Sequence, residues 1–123
     1  MDILKSNDSF HDWYILGLAV NPDKGELVLS LLFDNKRDRT RLIFKGASRC
    51  LVNDFLIQNI ILSISILDDV ESDGYRKARA ALDKSYPWGK GNPSKKIAAI
   101  QATLGAELFI EFDSVEMEPI HRF

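Results

Sequence analysis

Three stretches of this chain alternate with a period of two, and that spacing leaves the backbone little choice. In ELVLSLLF, 26–33, Leu27, Leu29, Leu31 and Phe33 fall on one side. In RTRLIFK, 39–45, Thr40, Leu42 and Phe44 fall on one side, and Arg39, Arg41, Ile43 and Lys45 on the other. In AELFIEF, 106–112, Leu108, Ile110 and Phe112 alternate with Glu107, Phe109 and Glu111. A helix would scatter these sets around its surface, whereas a strand puts each on one face of a sheet.

The links between the first strands are dense in turn residues: NPDKG at 21–25 and DNKRD at 34–38. Asn-Pro starts a turn and Gly25 can take positive φ, so the beginning of the chain predicts an antiparallel meander. WYILGLAV, 13–20, is apolar at every position, which predicts a central strand covered on both sides, with Gly17 marking a bulge. Residues 48–55 predict a short fourth strand. NIILSISIL, 59–67, predicts another, with Ile60, Leu62, Ile64 and Ile66 on one face and Ser63 and Ser65 on the other.

One helix is expected at 75–86. Tyr75, Ala78, Arg79, Leu82 and Tyr86 recur at helical spacing, Asp73 is the expected cap and Pro87 the stop. Residues 97–104 fit either a helix between Ser94 and Gly105 or a strand. SVEMEPI, 114–120, continues as an edge, since Pro119 has no N–H for a ladder. The expected fold is α+β: a curved antiparallel β-sheet of about six to seven strands, opening as a meander, packed on one main helix. Its core is expected to join Leu27, Leu29, Leu31, Leu42, Phe44, Ile60, Leu62, Ile64, Leu82, Leu108, Ile110 and Phe112.

Bulk properties narrow the function. The 123 residues suit a single domain, 1–123, and 46% hydrophobic with 28% charged residues is a globular composition. A net charge of −2 argues against nucleic-acid binding through overall charge. Cys50 is alone, so no internal disulfide forms and a cytoplasmic setting is expected. The N-terminus lacks the basic-then-apolar order of a signal peptide, and no apolar run approaches the roughly 20 residues that cross a bilayer. No membrane association is expected.

Few residues look like chemistry. His11-Asp12 precedes a strand, and neighbours on a strand point to opposite faces, so the pair cannot grip one metal. The other histidine, His121, is at the far end of the chain. The expected role of His11 and Asp12 is structural, with Ser9 and Asp12 bonding local backbone and His11 capping Phe10 and Trp13. Asp69, Glu71, Asp73 and Gly74 match the front of a calcium loop, but Ala80 stands where its bidentate Glu belongs and Arg76 at its apolar position. WGKGNPSKK, 88–96, lacks the phosphate-loop order and is expected to be a mobile loop. Cys50 is expected to be a buried small hydrophobe. No catalytic residue, metal or cofactor is assigned.

Charge is distributed unevenly. Lys36, Arg37, Arg39, Arg41, Lys45 and Arg49 face only Asp38 in 36–49, whereas 107–118 holds Glu107, Glu111, Asp113, Glu116 and Glu118 with no base. The plain expectation is a solvated outer face paired with the neighbouring basic strand. The sharper one is an acidic docking surface of Asp68, Asp69, Glu71, Asp73, Glu107, Glu111 and Asp113, with an outward Phe109 as anchor.

The order FHDWYILGL, LVLSLLF, RLIFKGAS, FLIQNIILSISI and TLGAELFIEFDSVEM resembles a group of small bacterial single-domain proteins, several of which are immunity proteins beside polymorphic toxins. The resemblance implies a non-enzymatic role, with a protein partner, most naturally a basic toxin domain. It also implies structural roles for Gly46, Asn59 and Gly105, and a strand at 97–104. The expected function is therefore an immunity protein that occludes its toxin's active site through an acidic surface. The alternative is a small enzyme or ligand-binding domain using His11, Asp12 and the 87–96 loop.

Overall fold

Two bends in the chain organise the architecture. The computed structural model describes residues 10–120; Ser9 and His121 lie outside them. Its elements are β1 (Tyr14–Asn21), β2 (Glu26–Leu32), β3 (Arg39–Lys45), β4 (Arg49–Asn53), β5 (Ile60–Leu67), α1 (Asp73–Ser85), β6 (Lys96–Leu104), β7 (Glu107–Phe112) and β8 (Ser114–Ile120). Every strand pair is antiparallel, and the sheet order is β4-β7-β6-β5-β1-β2-β3-β8. The fold is α+β, as expected, with eight strands among the described residues and 97–104 a strand.

The bends lie where β3 runs into β4 and β7 into β8. Lys45 pairs with Ser114 and Arg49 with Glu111, so four residues on one side answer three on the other. The extra residue is accommodated at Gly46, φ +65°, where any β-carbon would collide with the Asp113 side chain. Lys95 closes the corner: its Nζ donates to Gly46 O at 2.7 Å and lies 3.5 Å from Asp113 Oδ2.

Because both strands turn there, the sheet folds upon itself and its two four-strand halves share one core. Leu27, Leu29, Leu31, Leu42 and Phe44 come from one half, and Ile61, Ile64, Ile100, Leu108, Ile110 and Phe112 from the other. Phe44 and Phe112 meet edge to face at 5.0 Å across it. Helix α1 covers the outer face of the second half. Tyr75, Ala78 and Leu82 pack there on Ile97, Leu51, Leu67 and Phe109. Leu82 therefore belongs to a second cluster, not to the single core expected for it.

Three other expectations are corrected. Ile61, not Ile60 or Leu62, is the core residue at the start of β5. Pairing with β6 slips at Ile60/Ile61 and again at Ile61/Ser63, which throws Leu62 outward to 45% exposure. β1 is not covered on both sides: it pairs along its length with β2 but meets β5 at one Cα pair, Tyr14↔Ile60, and Leu16 and Val20 are exposed. The bulge expected at Gly17 is present, between Ile15 and Gly17. The helix cap is Ser72, whose Oγ accepts from Tyr75 N at 3.2 Å, and Asp73 is the first helical residue.

Candidate functional site

His11 and Asp12 lie in a turn before β1, with Phe10 and Asp12 left-handed, so the strand argument for their divergence does not apply. Their side chains approach to 3.5 Å. Both are tied to the β5 bulge: His11 Nδ1 is 2.9 Å from Leu62 O, and Asp12 N donates to Ile61 O at 2.8 Å. The turn is thus bonded to the irregularity at which Leu62 turns outward. Phe10, Trp13 and Phe33 stack beside it at 5.1 and 5.0 Å.

The expected acidic face is dismantled by α1. On β7, Leu108, Ile110 and Phe112 face the main core, so Phe109 and Glu111 face the opposite way, into the layer beneath the helix. Phe109 is a partly buried packing residue there, not an outward anchor. Glu111 is only 5% exposed. Asp113 sits at the corner beside Lys95, and Glu107 is exposed at the opposite end of the strand. Asp68, Asp69, Glu71 and Asp73 remain at the surface, in the turn that leads into α1.

Glu111 is held by Arg49, 6% exposed, in a two-pronged contact: Nε to Oε1 at 3.0 Å and Nη2 to Oε2 at 2.9 Å. Ser48 Oγ donates to Oε1 at 2.6 Å. The remaining edge of the guanidinium reaches α1, where Nη1 donates to Asp83 Oδ1 and to Tyr86 O, both at 2.9 Å. Arg79 lies 3.5 Å from Asp83 and 4.0 Å from Glu111. The cluster pins the helix C-terminus to β4 and β7. Among the described residues, no buried side-chain nitrogen or oxygen lacks a partner. Burial pushes the Glu111 carboxyl up, but its bonds to Arg49 and Ser48 and the charges of Arg49 and Arg79 outweigh it. The net pKa is below the ordinary carboxylate value. The Glu111 hydrogen bonds raise Arg49 above its usual range, against burial and with Asp83 assisting. A carboxylate held so firmly ionised is a poor proton acceptor for Ser48.

A groove of about 330 Å³ opens beside this cluster, between β4 and the β1–β2 turn. Val20, Pro22, Leu27, Ala47, Cys50 and Tyr86 form its apolar walls, with Ser48 and Arg49 at one side. A second hollow of about 280 Å³ shares Ser48, Arg49 and Tyr86 and is rimmed by Trp88, Gly89 and Asn92. Trp88 is 75% exposed and 6.3 Å from the Tyr86 ring. Burial pushes the Cys50 thiol up to about 11, which makes it a packing residue and not a nucleophile near neutral pH. The 87–96 loop is bonded to α1 at three points. Arg79 donates to Lys90 O and Asn92 O at 3.2 Å, and Tyr75 OH to Lys95 O at 2.7 Å.

No protein-family model, curated protein or solved structure matches this chain. The basic strand β3 meets an acidic strand, but it is β8: Arg41 pairs with Glu118, and Lys45 with Glu116 at 3.1 Å, whereas the β7 face expected to be solvated is buried at Glu111. Among the described residues no three His, Cys, Asp or Glu side chains converge as metal ligands. No helix among them is long and apolar enough to cross a membrane. The groove by Arg49 was not foreseen. Its only trace in the sequence is Arg49 itself, a charge at an inward position of a strand.

Proposed function

We propose that the protein is a non-enzymatic bacterial binding protein of the immunity type. It would act in the cytoplasm, covering the active site of a cognate toxin with an acidic surface. That surface is the 68–73 turn, not the β7 face. The observation that carries the reading is an exposed run of carboxylates on a backbone already held in place. Asp69 Oδ1 accepts from Glu71 N at 3.0 Å, and Ser72 N and Oγ both donate to Asp69 O, at 3.0 and 2.8 Å. A pre-ordered turn loses little freedom on binding. Val70, 46% exposed, stands among the carboxylates. It also borders a shallow groove of about 260 Å³ that follows α1 to Ser94. A basic cleft would be steered to such a turn and could seat an apolar contact at its centre.

A second reading, a ligand-binding domain, has the Trp88–Asn92 hollow in its favour. The other residues it would use, His11 and Asp12, are bonded near Leu62, whereas the 87–96 loop meets β5 at the Leu67↔Ile97 end. The two groups do not form one site.

The test is to co-purify the protein with the product of the neighbouring reading frame and to titrate the two by calorimetry. A one-to-one complex weakened by Asp69→Lys and Glu71→Lys supports the reading. A complex indifferent to both removes the acidic turn from it, and a neighbouring metabolic enzyme with no complex removes the immunity class.

A further inference from the structure

An exposed tryptophan borders a hollow whose charges cancel. Trp88 is 75% exposed, and its ring lies 6.3 Å from that of Tyr86 at an angle of 47°. Both line the hollow of about 280 Å³, together with Ser48, Arg49, Asn92 and Glu111. The loop that carries Trp88 is already ordered. Lys90 N donates to Pro87 O at 3.2 Å and Asn92 N to Gly89 O at 3.1 Å. Gly89, at φ +87°, lies against Arg49, and a β-carbon there would stand 3.4 Å from Arg49 Cδ. An ordered loop loses little freedom when a ligand arrives.

The polar lining selects the ligand. Arg49 and Arg79 are matched by Glu111 and Asp83, so an ionic ligand would lose its hydration and meet no free opposite charge. Neutral bonding capacity does remain. Ser48 gives its proton to Glu111, which leaves its oxygen as an acceptor. Arg49 makes four bonds of the five that a guanidinium can donate. Asn92 adds an amide that both donates and accepts. Adjacent hydroxyls on a sugar ring match such a mixture, and the C–H face of the same ring packs on an aromatic side chain. A flat aromatic ligand would need two parallel faces to be sandwiched, which the 47° between Tyr86 and Trp88 denies it.

Ser48, Arg49 and Tyr86 also line the 330 Å³ groove, whose walls include Val20, Leu27 and Cys50. The polar hollow and the apolar groove therefore meet at these three residues. We propose that together they bind a neutral saccharide carrying an apolar substituent, the sugar against Trp88 and the substituent in the groove. The site lies at the Val20–Gly25 end of β1 and the Arg49 start of β4. The described chain begins beside Tyr14 and ends at Ile120, opposite Arg39, each at the far end of its strand from this site. The site is independent of the acidic turn at 68–73.

The experiment titrates the full-length protein, labelled with ¹⁵N, with the methyl and phenyl glycosides of glucose, galactose, mannose and N-acetylglucosamine. The readout is the Trp88 indole N–H resonance. At least one phenyl glycoside is expected to move it with a Kd below about 1 mM, at least tenfold tighter than its methyl counterpart. Trp88→Ala should weaken both at least tenfold, by ligand-detected titration, with an unchanged melting temperature. Val20→Lys, at an exposed groove position, should remove the advantage of phenyl over methyl and leave the methyl glycoside as it was. A Trp88 resonance that no glycoside moves overturns the proposal. So does binding that survives Trp88→Ala, a phenyl advantage that survives Val20→Lys, or tighter binding of inorganic phosphate than of any glycoside.

Discussion

The side-chain oxygen of Asn59 occupies the space that a β-carbon on Gly105 would need. Asn59 is buried, and its Oδ1 accepts from Leu56 N and from Ala106 N, both at 2.9 Å, while Nδ2 returns a bond to Leu56 O at 2.9 Å. Gly105 turns between β6 and β7 at φ +85°, and a β-carbon there would also lie 2.9 Å from Gln58 O. One amide thus joins the loop before β5 to the β6–β7 turn.

Gly105→Ala is therefore expected to destabilise the protein by about 1–3 kcal/mol, from left-handed strain and the clash together. Asn59→Ala should cost a similar amount by leaving buried backbone groups unbonded. The two residues share a contact, so the double variant should lose less than the sum of the singles. Urea unfolding measures all three, and strict additivity would mean the contact does not form.

Arg49→Ala leaves Glu111 and Asp83 without their partner and should cost about 3–5 kcal/mol. Glu111 also makes stability depend on pH. Its folded pKa lies below the unfolded one, so its contribution is present in full above the unfolded carboxyl's pKa, about 4.3, and is lost as pH falls through the lower folded value. The stability gap between wild type and Glu111→Gln should be constant from neutral pH to about pH 5 and narrow below about pH 4. A gap that widens on acidification would contradict the ion pair.

Leu29→Ala should cost about 2–5 kcal/mol, as full burial requires, and Leu62→Ala well under about 1 kcal/mol. A Leu62→Ala loss as large as that of Leu29→Ala would mean that β5 lacks its bulge. Denaturant melts of both variants decide the register.

On the proposed reading, Asp69→Lys and Glu71→Lys should slow association with the purified toxin, more at low salt than at high, while the protein stays folded. Glu111→Lys should instead unfold the protein, since it puts a second cation against Arg49. Stopped-flow rates at two salt concentrations, beside thermal melts, separate the cases. A folded Glu111→Lys protein would place that side chain at the surface after all.

Strands, turns and the helix were legible because their causes are local. Alternating residues define β2, β3 and β7, Asn21–Gly25 defines a hairpin turn, and the Tyr75–Leu82 spacing defines α1. Period two divides a strand into two faces, but it says nothing about what lies over either one. At β7 the outer face holds Glu107, Phe109 and Glu111, a pattern that suits solvent. Only the path of α1, set by residues far along the chain, makes Phe109 a packing residue and Glu111 the buried partner of Arg49. The β5 bulge escaped the sequence for the same reason. It is bonded to the His11–Asp12 turn, some fifty residues away, and a one-residue slip reverses every side chain before it. Composition and periodicity determined the class of fold; long-range contacts decided which charges remain at the surface.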